Sequence, residues 1–318
     1  MTISQTIELS ATIPPEYQGF RLDQTLAKLF PDYSRARLQA WIQAGQVKID
    51  QQCLRAKDKI QAGQQVTLLA TLHQEIPWAG QNIPLQIVYE DESIIVLNKP
   101  AGLIVHPGAG HADQTLVNAL LHHAPELAQL PRGGIVHRLD KETSGLMVVA
   151  RSLQAHTQLV QQIQAHAVER EYIAIARGVM VAGKTVDAPM GRHPTRRTQM
   201  AVIEDGKPAV THYRVLERFK AHTYLRAFLE TGRTHQIRVH LAHVGFPLVG
   251  DPLYGGRLIL PKGCSETLKL TLQQFKRQAL HAQKLTLQHP VSQQPMSWEA
   301  EPPSDFQHLL RCLQEDKI

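Results

Sequence analysis

Apolar residues fall at two distinct spacings along this chain. Leu22, Leu26 and Leu29 recur on one helical face, and Pro31 ends the run, so a helix is predicted there. A second helix is predicted after Ser34, a suitable N-cap, with Leu38, Trp41 and Ile42 as its apolar face and Gly45 as its stop. Val47 and Ile49 alternate with polar neighbours, as do Val66 and Leu68, which is the period of half-buried strands. Two helices and a small sheet therefore make a first α/β unit over residues 18–75. The stretch HQEIPWAGQNIPL, His73 to Leu85, has two prolines, a glycine and no periodicity. A linker is predicted over 76–86 and a larger domain over 87–318.

In that larger domain IVYEDESIIVLNKP reads as strand, turn, strand, and Leu116 to His122 as a short helix. GIVHRLDKETSGLMVVA, Gly134 to Ala150, supplies two apolar runs that read as strands. Ser152 can cap a helix running towards His166, and EYIAIAR, Glu171 to Arg177, is a strand. Val210 to Phe219 and His222 to Glu230 form a hairpin. Thr234 to His243 is a helix that Gly245 terminates. Strands outnumber helices and short turns join many of them. An α+β domain built on a mostly antiparallel mixed sheet is predicted.

The chain has 318 residues, 43% hydrophobic and 19% charged, the balance of a globular protein and not of a disordered one. No apolar run approaches bilayer length, and the N-terminal residues lack the basic and apolar blocks of a secretory signal. Cys53, Cys264 and Cys312 are far apart and form no CxxC pair. A reducing, cytoplasmic setting without membrane contact and without a zinc site is expected. Net charge is +6, and residues 18–72 hold eight basic against four acidic side chains, a local +4. Arg35 and Arg37 stand at the start of the second helix, beside its free backbone N–H groups. They are candidate phosphate contacts, although on charge alone a solvated basic face is the simpler reading.

Candidate chemistry centres on the 134–150 stretch. Between its apolar runs sit His137, Arg138, Asp140, Lys141, Glu142, Thr143 and Ser144, far more charge than a hairpin turn requires. Asp140 reads either as a turn cap or as a nucleophile or base at a sheet edge. ETGRTHQIRVHLAH places Arg233 at a strand-to-helix junction, with a second arginine at 238, where a guanidinium can hold a carboxylate ionised. Tyr172 lies among apolar neighbours on a strand, as a core residue or as a flat surface for a base.

HRLDKETSGLMVVA resembles the signature of the RluA-type pseudouridine synthases, and REYIAI, TGRTHQIRVH and GFPLVGDPLYG are similar to that family's later motifs. RLDQTLAKLFPDYSRARLQAWIQAGQVKID resembles an S4 RNA-binding domain. Together these cover nearly the whole chain. The resemblance implies that Asp140 is the catalytic aspartate and that Arg138 fills the gap left by a base extruded from RNA. It also implies that Tyr172 packs on the flipped uracil, that Arg233 pairs with Asp140, and that Ile237 walls the base pocket. Further runs, FPDYSRARLQAWI and GKPAVTHYRV among them, resemble the branch that acts on 23S rRNA of the large ribosomal subunit. Uridines in the helix 69 loop are then the expected targets and a monomer the expected form. Pseudouridine formation breaks C1′–N1 and joins C5 to C1′ with no net oxidation, so no cofactor and no metal are expected. A metal hydrolase finds no HExxH here, and His235 and His240, five apart, do not share a helical face. A non-catalytic rRNA-binding assembly factor is the stronger rival; it does not require Asp140, Tyr172 and Arg233 to converge.

Overall fold

A computed structural model describes residues 4–31, 33, 35–73, 78–107, 113–196 and 198–316. The chain divides into two compact units, residues 1–77 and 78–318.

The first unit contains β1 (Ser4–Thr12), α1 (Leu22–Leu29), α2 (Arg35–Gln43), β2 (Val47–Ile49) and β3 (Gln65–His73). Its sheet is antiparallel in the order β1-β3-β2. Leu22, Leu26, Leu38, Trp41, Ile42, Val47, Ile49, Val66 and Leu68 are all buried in its core, the faces their spacing implied. Gly45 ends the second helix with φ +72°, the left-handed conformation that glycine adopts without penalty. The proposed cap, Ser34, lies outside the described residues. Strand β1 was not anticipated from the pattern. It pairs along its full length with β3, from Ser4 opposite His73 to Thr12 opposite Gln65.

The predicted linker is not free chain where it is described. Trp78 and Leu85 pack against the core of the second unit. The amide of Gln81 donates to Asn118 O at 2.8 Å, and Asn118 Nδ2 donates to Ala79 O at 2.9 Å. Irregular backbone finds its partners on a neighbouring helix instead of within itself, and no periodicity announces that.

The second unit runs β4 (Ile87–Glu90), β5 (Ile94–Lys99), α3 (Leu116–His123), β6 (Ser144–Ala150), α4 (Leu153–Gln164) and β7 (Glu169–Arg177). There follow β8 (Lys184–Asp187), β9 (Met190–Arg192), β10 (Met200–Val202), β11 (Val210–Arg218), β12 (His222–Leu229) and α5 (Gln236–His243). Then come α6 (Glu266–Gln274), β13 (Leu280–Gln288), β14 (Pro295–Glu299) and α7 (Ser304–Glu315). Nine strands form one sheet in the order β4-β5-β6-β13-β7-β12-β11-β8, with β14 also on β13. Every pairing is antiparallel except the short β6–β13 contact, so the sheet is mixed but mostly antiparallel. Ser152 caps α4 by accepting from the amide of Ala155 at 3.1 Å.

Helices cover both faces of the central strands, which is why EYIAIAR reads as continuously apolar. Tyr172, Ala174 and Ala176 turn to one face, with Leu116, Leu120 and Ile237. Ile173 and Ile175 turn to the other, against Leu268, Leu272, Phe306 and Leu309 of α6 and α7. The first apolar run of the 134–150 stretch is not a strand. Ile135 makes a single bridge to Val149, and the chain then leaves the sheet.

Candidate active site

The segment from Val136 to Thr143 leaves the sheet and is pinned by its own backbone. Lys99, fully buried at the end of β5, donates to the carbonyls of Pro100 (2.7 Å), Leu103 (2.9 Å) and Lys141 (3.0 Å). Burial pushes its pKa down to about 7, opposed by the carboxylates of Glu142 and Asp140. Three acceptors on one ammonium satisfy its three hydrogens. The amide of Gly102 donates to the same Lys141 carbonyl, and Thr143 N donates to Asp140 O. Gln278 Nε2 holds Thr143 Oγ1 at 2.9 Å. Gly145 then lets β6 approach β13. It has φ +123°, and a Cβ there would lie 2.3 Å from Ala282 O. Any side chain at 145 would push apart the parallel contact that anchors this segment. The charges of the stretch are thus carried on a loop with a fixed backbone.

Asp140 faces a cleft of about 500 Å³, a size suited to a nucleotide. Arg138, Asp140, Tyr172, Arg233 and Ile237 all line it. The pairing differs from the expectation. The partner of Asp140 is Arg238, whose Nη1 donates to Asp140 Oδ2 at 2.8 Å. Arg233 instead donates from Nε to Pro208 O at 3.1 Å and is exposed. The reason is where the helix begins. Helix α5 begins at Gln236, so Arg233 belongs to the preceding turn, while Arg238 falls in the first helical turn, where Gln236 to Leu241 are all buried.

Arg238 bridges two carboxylates. Its Nε and Nη2 reach Asp251 Oδ2 and Oδ1 at 2.8 and 2.9 Å, a bidentate fork. Asp251 Oδ1 also accepts the amides of Leu253 and Tyr254. Burial disfavours the Arg238 charge, but the bonds and charges of Asp251 and Asp140 outweigh it and raise its pKa. The Tyr254 ring lies 5.0 Å from this guanidinium, and its hydroxyl bonds His235 Nδ1 at 2.7 Å. His235 Nε2 is 3.7 Å from Asp140 Oδ1, with burial holding that imidazole below its ordinary pKa. The side chain of Asp140 keeps 17% exposure, against none for Asp251. One arginine therefore ties an open carboxylate to a closed one.

Tyr172 is 6% exposed, and burial raises its phenol pKa, so it is neutral at pH 7. His137 Nε2 accepts the amide of Val148 at 3.0 Å; burial, then the charge of Arg170, push its pKa down to about 3. The ring is therefore neutral. Ile237, 3% exposed, supplies apolar wall, and Arg138 is exposed at the cleft. In the first unit Arg35 reaches Asp23 Oδ2 at 2.6 Å, so part of its fork is used internally. Arg37 follows it in the first turns of α2.

The sequence reading missed Asp251, Tyr254, His235 and Lys99 as parts of this site. GFPLVGDPLYG and NKP were visible as motifs, but nothing in their spacing shows that they meet the 134–150 loop.

Comparison with known proteins identifies the class. Residues 93–243 match the model described as RNA pseudouridylate synthase, and residues 20–66 match the S4 domain. Curated relatives match almost end to end, and the chain belongs to the RNA pseudouridylate synthase family in its form with an S4 domain. The relative named "Ribosomal large subunit pseudouridine synthase D" from Pseudomonas aeruginosa is 55% identical over 99% of this chain and 98% of its own. Its namesake from Escherichia coli strain K12 is 54% identical over 99% and 97%. Among solved structures, "Human RNA Pseudouridylate Synthase Domain Containing 4" aligns with TM-score 0.57 and 27% identity, over 72% of this chain and 93% of that one. The chain is an RNA pseudouridine synthase. No helix among the described residues is long and apolar enough to cross a membrane.

Proposed function

We propose that this enzyme isomerises uridines of 23S rRNA, in the helix 69 loop, acting as a cytoplasmic monomer without a cofactor. One observation carries the catalytic reading: a carboxylate, Asp140, is held by a buried guanidinium in the same cleft as Tyr172 and Ile237. Asp140 either attacks C1′ or removes the 2′ proton as C1′–N1 breaks. Arg238 fixes the carboxylate's orientation, and Asp251 fixes Arg238. The target base must leave the RNA stack, at a cost of about a few kcal/mol. Packing on Tyr172 against Ile237 offsets part of that, since base–aromatic stacking contributes about 1–3 kcal/mol. Arg138 takes the vacated place in the stack. Arg233, at the exposed wall, contacts the RNA backbone. The S4 unit, with Arg35 and Arg37 on α2, adds sequence-independent phosphate contacts.

A non-catalytic assembly factor does not require these side chains to meet, and their convergence in one cleft favours the enzyme reading. Mapping pseudouridine in large-subunit rRNA from cells with and without the gene tests the substrate. Loss confined to the helix 69 loop is expected. An unchanged map would reject that target.

A further inference from the structure

Among the described residues of the second unit three arginines are buried: Arg170, Arg238 and Arg277, with 8%, 3% and 7% exposure. Two of them use their donors as buried cations must. Arg238 bridges Asp251 and Asp140, and Arg277 forks Asp305 at 2.7 and 2.8 Å. Arg170 has no carboxylate within ion-pair distance and makes no hydrogen bond among the described residues. Its Nε is buried without a partner. Yet it lines the cleft that holds Asp140.

Its surroundings leave the cleft as the place for a counter-charge. Arg170 lies two residues before Tyr172 on β7, so both side chains turn to the same face. Tyr172 and His137, the two titratable rings whose pKa its charge lowers, are both neutral. Behind the guanidinium is Gly232, where a Cβ would come within 2.8 Å of Nη1. A buried polar group without a partner calls for an explanation, and a group supplied by the substrate is one.

We propose that Arg170 is a catalytic residue whose guanidinium takes a carbonyl oxygen of the extruded uracil and offsets the charge formed there when C1′–N1 breaks. This rests on the enzyme reading above. As C1′ gains its bond to the Asp140 oxygen, or as the 2′ proton moves to that carboxylate, the C1′–N1 electron pair stays on the ring. It spreads over N1, O2 and O4. C5 then attacks C1′ as the C1′–O bond to Asp140 breaks, or as Asp140 returns the proton to C2′; the carboxylate is restored, the C5 proton leaves to solvent, and N1 takes up a proton, so nothing is oxidised or consumed. A donor already waiting in a dry site stabilises such charge without reorganising.

The test uses single-turnover release of tritium from RNA carrying [5-³H]uridine. Wild-type activity is measured first; without it the enzyme reading itself fails, and the Arg170 question is not reached. With active wild type, Arg170→Gln is expected to slow turnover about a hundredfold, the scale of losing one oxyanion donor. RNA affinity should stay within about threefold, and Arg170→Lys should recover part of the rate. Because no protein partner is lost, the melting temperature of Arg170→Gln should be unchanged or higher, which a structural arginine does not allow. The defect should also shrink about tenfold on C1′–N1 cleavage from 5-fluorouridine, whose ring anion is the weaker base. Three results overturn the proposal: wild-type turnover in Arg170→Gln, a lowered melting temperature, or an equal defect with both bases. So does weaker RNA binding with an unchanged rate at saturation and a salt slope smaller by about one, the mark of a phosphate contact.

Discussion

Each unit of this protein builds an arginine–aspartate cluster, and the two clusters do opposite things. In the first, Asp23 has no exposure and is enclosed by Arg35 at 2.6 Å, Arg21 at 3.1 Å and Gln39 at 2.6 Å. Burial alone would raise the Asp23 pKa, but those three donors lower it. The carboxylate is saturated, and the cluster ties α1 to α2. In the second, Arg238 is the buried member and Asp140 the partly exposed one, with one oxygen bonded at 2.8 Å and the other 3.7 Å from a neutral histidine. Residue types hardly differ between them. Which member is buried, and how many donors reach the carboxylate, separates a saturated brace from a carboxylate left open to the cleft.

The sharpest way to break this contrast is to remove Arg238. Arg238→Ala leaves Asp251 buried with only two amides, and losing one partner of a buried pair costs about 3–5 kcal/mol. Chemical denaturation should show that loss in the second unit, together with loss of turnover. Arg238→Lys should stay inactive, because a single ammonium does not fork Asp251 and reach Asp140 together. Asp23→Asn should weaken the first unit by about 2–3 kcal/mol, the scale of charged hydrogen bonds, leaving turnover at saturating RNA near wild type. Melting of the first unit, followed by the fluorescence of Trp41, checks this.

Acid separates the units less strongly. Burial holds His137 at about 3 and His106 and His222 at about 4, below their ordinary 6.5. Between pH 6.5 and 4 the unfolded chain binds protons that these rings refuse in the fold. Stability of the second unit should fall as pH drops through that window, by several kcal/mol in total. Asp23 has its pKa lowered from 3.8, so its contribution is present above that pH and is lost only below it. Hydrogen exchange at pH 7 and pH 4.5 should show the second unit loosening first. The smallest effect belongs to Arg233→Ala. An exposed side chain bonded to one carbonyl should change RNA affinity by about fivefold at most and leave the chemical step intact.

Much of the fold was legible because its signals are local. Leucine spacing marked α1, Ser152 marked the start of α4, and alternation marked β2 and β3. Strand β1 was missed although Ile7, Leu9 and Ala11 alternate, because its pairing with β3 spans most of the first unit. The motif singled out Asp140 and called for a guanidinium beside it, and in the structure Asp140 lines the cleft with Arg238 bonded to it. The choice between Arg233 and Arg238 turned on where one helix begins, and helix boundaries shift by a residue or two on pattern alone. The fork of Asp251 on Arg238 and the burial of Arg170 depend on packing across the sheet and loops, which no spacing along the chain reveals.

The central claim is tested most directly by Asp140→Asn, an exchange that keeps shape and removes charge. Tritium release from [5-³H]uridine RNA and RNA affinity are measured on the same preparation. Lost release with affinity near that of the wild type is predicted. Continued release of tritium by the variant would contradict the claim.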